Sequence, residues 1–188
     1  MNILPAVQTT WVEWINEHPK TKVLKKDEQV RSSHYEKYFL DADRIGIFGS
    51  HHLINRLPAK ALVHGISIHP FSLAVSDEVL KEGDFYTVQL GPHSILLARG
   101  SDNGVRAFEA NIGDKKVTFR KGSSTDELLD SETSSTWDIK TGESTLDQNR
   151  EKKLKQMQVT TAFWFAWSTF YHNTELFSPP HKIEINQK

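Results

Sequence analysis

Short β-rich runs, apolar and polar by turns, fill the middle of the chain. Residues 61–69 (ALVHGISIH), 84–90 (DFYTVQL), 93–99 (HSILLAR), 104–109 (GVRAFE) and 115–119 (KKVTF) are separated by Gly, Pro, Asn and Asp, the spacing of strands joined by tight turns. Gly91–Pro92 and Asp102–Asn103–Gly104 are hairpin-type connections, the second offering Gly104 for a positive φ. The pattern predicts an antiparallel, meander-like β core. Residues 123–145 are polar and turn-rich, with Leu128, Leu129 and Trp137 as inward anchors, and the mixed charge of 147–158 (DQNREKKLKQMQ) predicts a solvated excursion.

At both ends the period changes from two to that of a helix. TTWVEWINEHPKTKVL (9–24) aligns without gaps on AFWFAWSTFYHNTELF (162–177), pairing Trp11 with Trp164, Trp14 with Trp167, Thr21 with Thr174 and Leu24 with Phe177. Tryptophans at i and i+3 share one helical face. Thr10 can cap the first helix, and Pro19 restricts its continuation. Each copy reads as a short helix, at about 9–18 and 160–171, then a turn and a strand (Lys22–Leu24; Glu175–Phe177). The expected fold class is therefore α+β, a mainly antiparallel β core with two short Trp-containing helices from an internal repeat. Phe163, Trp164, Trp167 and Phe170, with Trp11 and Trp14, are expected to form buried helix faces closing the core, since aromatics of this size bury roughly 150–250 Å² each. The competing use is an aromatic-walled cleft for a flat ligand, formed by Trp164, Trp167 and Trp137.

Composition narrows the function. The chain of 188 residues suits one domain spanning 1–188, a length at which roughly 70% of the unfolded surface is buried. With 23 basic and 24 acidic residues the formal charge is −1, which offers no field for nucleic acid or anionic lipid. There is no cysteine, so disulfides, thiolate nucleophiles and cysteine-ligated metals are excluded. The apolar window Ala162–Phe170 is far short of the ~20 residues of a membrane-spanning helix. The opening MNILPAVQTT lacks a signal-peptide pattern. Localisation is left open, an extracytoplasmic origin included.

Asp130–Ser131–Glu132–Thr133 with Trp137–Asp138, then Thr141–Gly142–Glu143, and later Phe163–Trp164–Phe165–Ala166–Trp167 resemble the D-x-E-T-G-S-x-W-D, T-G-x-A and F-W-F-A-W signatures of the DUF3179 family. Thr9–Thr10–Trp11, Trp14, His18–Pro19 and Thr21 resemble that family's T-T-W-x-x-W-x-x-x-H-P-x-T element. The resemblance implies membership and no particular activity. It also implies departures: the family's Cys-Pro-x-Cys-Gly-Thr segment corresponds to Gln89–Ser94 without cysteine, the Arg that follows to Arg99, and its Asn-Asp to Ser76–Asp77. In the family pattern a further D-x-E-T-G-S-x-W copy precedes the T-T-W element. The chain thus reads as a late portion of a longer family pattern or as a shortened member, with self-association expected through any strand edge that truncation leaves unpaired.

Histidine is the remaining reactive resource, with nine copies. His64, His93 and His51 are the candidate ligands of a transition metal; the bland reading is exposed or hydrogen-bonded histidines. Ser94 beside His93 and Asp77 lacks a nucleophile-elbow context, and Asp130, Glu132 and Asp138 lack the order of a calcium loop, so turn-fixing roles with Trp137 beneath are preferred. Phosphate-binding glycine motifs are absent, which argues against a nucleotide cofactor. Two classes remain: a non-catalytic binding or interaction module for a protein or small molecule, and a histidine- or carboxylate-dependent enzyme, metal-assisted in one version.

Overall fold

In the computed structural model, residues 4–25, 35–42, 44–46, 54–145 and 152–179 are described. Two four-stranded sheets carry the core. The first has the order β12-β1-β2-β13, formed by Thr160–Phe163, Leu62–Ile68, Phe71–Ser76 and Glu175–Leu176. The second has the order β11-β5-β4-β3, formed by Gln156–Met157, Val105–Glu109, His93–Arg99 and Phe85–Leu90. Pairing is antiparallel throughout both, except that β13 runs parallel to β2. A three-stranded sheet of β8 (Phe119–Lys121), β9 (Glu127–Asp130) and β10 (Thr136–Asp138) adds a further layer, and a two-stranded ribbon of β6 (Asn111–Ile112) and β7 (Lys115–Lys116) and a short helix α2 (Glu36–Leu40) lie outside these sheets. The class is α+β, as the sequence pattern predicts.

Side-chain alternation sorts the core into layers. Ile66, Leu73 and Val75 of the first sheet meet Leu90, Ile95, Leu97, Val105 and Ala107 of the second in one buried cluster. The other face of the second sheet, with Leu96, Ala98 and Phe108, packs on Leu128, Trp137 and Ile139. On the outer face of the first sheet, Val63 and Ala74 receive Trp164 and Trp167 from the helix α3 (Trp164–Phe170). Gly65 makes that seat possible: a Cβ built there would overlap the Trp167 ring. Trp167 Nε1 donates to Thr174 Oγ1 at 3.0 Å, and Trp164 Nε1 donates to the Ile54 carbonyl at 2.6 Å, so neither indole N–H is left unpaired in the interior.

Several expectations need correction. The helix α1 (Trp11–Glu17) forms with Thr10 and Glu13 in a capping box, yet Trp11 and Trp14 are exposed, and so is Phe170 on α3. Among the described residues no sheet lies over the first two, and Phe170 falls on the outward side of its helix. Residues 160–163 are strand, because they pair with β1 before the helix begins. Lys22–Leu24 are exposed and form no strand. At 147–158, residues 147–151 lie outside the described residues, and the remainder is no excursion: Leu154 is buried and β11 pairs with β5. In the β4–β5 turn, Asn103 adopts φ 56°, and Gly104 is required for close approach, since a Cβ would strike Val7 and Arg106. The run Phe71–Ser76 is a strand that periodicity did not reveal, being buried at five of its six positions.

Trp167→Ala should cost about 3–5 kcal/mol, whereas Phe170→Ala should stay within about 0.5 kcal/mol. Urea denaturation followed by far-UV circular dichroism checks both. Equal midpoints for the two variants would contradict the seat on Gly65.

Candidate functional site

The inward face of the first sheet ends in polar residues instead of apolar ones. Leu62 and His64 share that face of β1, two residues apart. Thr161 of β12 is the register partner of His64. Asp77 follows β2 and donates its backbone N–H to the Leu62 carbonyl at 2.9 Å, which sets it diagonally across from His64. Arg99, the last residue of β4, reaches in from the second sheet on the side of Ile95 and Leu97. Four strands thereby deliver an imidazole, a hydroxyl, a carboxylate and a guanidinium to one end of the space between the sheets.

Their contacts fix the protonation states. His64 Nε2 lies 2.8 Å from Asp77 Oδ1 and His64 Nδ1 lies 3.1 Å from Thr161 Oγ1. Arg99 Nη2 also donates to Asp77 Oδ1 and comes within 3.2 Å of His64 Nε2. A nitrogen 2.8 Å from a carboxylate oxygen must carry the proton, since a lone pair there would face another lone pair. Nε2–H and Arg99 are thus two donors converging on one oxygen, and Nδ1 keeps its lone pair for the Thr161 hydroxyl. Burial pushes the His64 pKa below its ordinary value, and the Arg99 charge adds to this, together outweighing the Asp77 hydrogen bond and charge. Partial burial would raise Asp77, but hydrogen bonds from His64 and Arg99 outweigh it and hold the carboxyl below its ordinary value. The site at neutral pH is therefore one ion pair with a neutral imidazole.

The site opens into a cavity of about 230 Å³, whose far wall is the N-terminal segment Gln8–Thr10 with Asn103. Thr9 Oγ1 donates to the Asp102 carbonyl at 2.6 Å, Asn103 donates to Glu13, and Lys140 Nζ pairs with Glu17 at 2.7 Å. The hydrogen bonds of Thr10 and Asn103 hold the Glu13 carboxyl down at about 2. Beneath this wall a buried pair, Arg106 Nη2 to Asp102 Oδ2 at 2.5 Å, stiffens the β4–β5 turn.

The candidate residues named from sequence are distributed unevenly. His64 is in the site. His93 opens β4 at its other end, six residues and roughly 20 Å from Arg99, where it lines a separate hollow with Ser94, Glu109 and Asp114. His51 lies outside the described residues. Among the described residues no group of three or more His, Asp or Glu could hold a metal ion. Trp164, Trp167 and Trp137 are all buried; Trp137 Nε1 donates to Asp130 Oδ2 at 3.0 Å, while Asp130 Oδ1 accepts from Thr133 N at 2.5 Å. Asp77 and Arg99 escaped motif reasoning. They are, however, the residues that the family resemblance set against its Asn-Asp and Arg, and that alignment is the signal that could have joined them to His64.

An α+β domain of layered antiparallel sheets, with a polar site at the open end of its central layer, is the class of protein these features define. The family model described as "Protein of unknown function (DUF3179)" matches residues 1–174, and the chain belongs to that family. No curated protein and no solved structure matches it. Among the described residues no helix is long and apolar enough to cross a membrane.

The depressed His64 value makes stability pH-dependent in a definite sense. The unfolded chain binds this proton more readily than the folded one, so the contribution of His64 is complete above 6.5, its ordinary value, and declines as pH falls below it. Asp77 acts in the same direction lower down, its contribution being lost as pH falls below 3.8. Urea midpoints should therefore drop between about pH 7.5 and about pH 5, and His64→Gln should flatten that drop. An equally steep drop in the variant would exclude His64 as its source.

Proposed function

We propose that this domain is a non-catalytic binding module that holds a small, neutral, hydroxylated ligand over His64, Asp77 and Arg99. The observation that carries this reading is the distribution of unspent hydrogen-bonding capacity. Asp77 uses only Oδ1, leaving Oδ2 without a hydrogen bond, and Arg99 uses only Nη2, which leaves Nη1 as a spare donor. Both residues line the same cavity, and Asp77 is about one-third exposed there. An acceptor beside spare donors suits adjacent hydroxyls, one donating and one accepting. Since the site is already an ion pair, a charged ligand would leave one member uncompensated. The cavity is below the ~300–1,000 Å³ of drug-sized pockets, which limits the ligand to one ring or a short chain.

The cysteine-free segment Gln89–Ser94 supports the same reading. It forms the end of β3, the turn and the start of β4, at the opposite end of that strand from Arg99. The cysteine positions of the family pattern and polar binding at Asp77 would then occupy separate places on one fold.

A histidine-dependent enzyme is the second reading, favoured by the line Thr161 Oγ1, His64 Nδ1, His64 Nε2, Asp77 Oδ1. A neutral imidazole with Nδ1 facing a hydroxyl and Nε2–H on a carboxylate is in the state needed to take a proton from that hydroxyl. Thr161→Val, which keeps the side-chain shape, would abolish a reaction of this kind and leave simple binding largely in place.

Titration of the full chain with glucose as a neutral polyol, read by side-chain NMR signals of His64 and Arg99, tests the binding reading. Asp77→Asn should weaken binding roughly ten- to a hundredfold, the loss of a charge-assisted hydrogen bond. Signals that do not move with glucose or other small polyols, or that move equally in the variant, would reject it.

A further inference from the structure

The two aromatic units at the ends of the chain share one local geometry and differ in what covers them. Both α1 and α3 span seven residues. Their caps, His18 at φ −125°, ψ 63° and Tyr171 at φ −123°, ψ 70°, are nearly superimposable, and each cap N–H bonds back to the second Trp carbonyl. Trp14 Nε1 donates to Thr21 Oγ1 at 2.9 Å, as Trp167 Nε1 donates to Thr174 Oγ1 at 3.0 Å. The Trp14–His18 and Trp167–Tyr171 ring centroids stand 4.1 Å and 4.0 Å apart. In the turns, Thr21 N–H bonds to the His18 carbonyl at 3.0 Å and Thr174 N–H to the Tyr171 carbonyl at 3.1 Å.

The C-terminal unit shows what this geometry is for. Its second Trp fills the slot above Gly65, and the residues after its turn add β13 to the free edge of β2. Among the described residues the N-terminal unit has no such cover: Trp11 is 54% and Trp14 42% exposed, and Val23 and Leu24 lie open where a strand would pair. It is held to this chain through Glu13 and Glu17, which leaves the Trp11–Trp14–His18 side facing away. An exposed apolar surface of this extent marks an interaction site.

We infer that residues 9–24 are a docking unit for a β-sheet of another domain built like β12-β1-β2: a glycine-floored slot for Trp14, and an open strand edge for residues 22–24. The slot on this chain is filled by α3, and a second copy fills its own in the same way, so the partner is a related sheet whose slot is free. Recognition combines a buried aromatic anchor with strand addition.

The matching sheet is at hand in this protein. Residues 164–177 are replaced by the sequence of residues 11–24, which is of equal length. The graft should unfold cooperatively, with its indoles several-fold better protected from acrylamide quenching than Trp11 and Trp14 of the parent. Adding Trp167→Ala to the graft should abolish the transition. A graft that does not fold, or folds equally well with that alanine, overturns the inference. Independently of the graft, Trp14→Ala in the parent chain should leave the unfolding midpoint unmoved, and light scattering at micromolar concentration should show a monomer. A lowered midpoint would mean that this chain already covers the face. A dimer with protected Trp14 would make a second copy the occupant. Either result overturns the assignment to a separate domain.

Discussion

The contact between Trp167 and Gly65 sets the rest of the molecule. A side chain of any size at Gly65 would lift the indole off β1 and α3 with it. That helix continues directly from β12, whose Thr160 and Thr161 stand opposite Gly65 and His64. Beyond the helix, β13 closes the other edge of the same sheet. One missing Cβ thus fixes the helix on the outer face and the register of β12 on the inner one. The hydroxyl that meets His64 is placed by packing on the opposite side of the sheet.

A second constraint holds the wall of the cavity. Asp102 is buried and gives both carboxylate oxygens to Arg106, with Gly104 N–H as a further donor to Oδ1. A buried pair of this kind adds less to stability than its short distances suggest, because two charges must be desolvated to form it. Its effect here is on shape. The turn it stiffens presents the Asp102 carbonyl to Thr9 and the Asn103 amide to Glu13, and these bonds hold Gln8–Thr10 in place as a wall of the cavity. The α1 unit is therefore mechanically continuous with the pocket wall.

Much of this was legible in the sequence, and the failures share a cause. The strands β3, β4 and β5 were visible because turn residues bracket short alternating runs, and both helices because Trp recurs at i and i+3. Phe71–Ser76 was not, since a strand covered on both faces carries no alternation to read. With β2 went Asp77, and with Asp77 the site. The burial of Trp11 and Trp14 was expected because their local pattern equals that of Trp164 and Trp167. Local pattern specifies the helix, its cap and the Trp–Thr bond. Whether the indole is then covered depends on a glycine about a hundred residues away in one case, and on none of the described residues in the other. The turn at 102–104 was misassigned for a similar reason, as the left-handed residue is Asn103 and Gly104 answers to its neighbours Val7 and Arg106.

Charge at the site follows from geometry more than from composition. Arg99 and His64 Nε2 both point at Asp77 Oδ1, and they can stand 3.2 Å apart only while the imidazole is uncharged. Protonating His64 would set two cations side by side in a buried place and would also take away the lone pair that Thr161 uses. Burial and the Arg99 charge therefore enforce the same state, and Asp77 serves both donors through a single oxygen. The other oxygen has no hydrogen bond and keeps its lone pairs, with its share of the carboxylate charge, for the cavity. A group so arranged can accept a strong hydrogen bond without drawing in a cation, which is the combination that the proposed hydroxylated ligand would use.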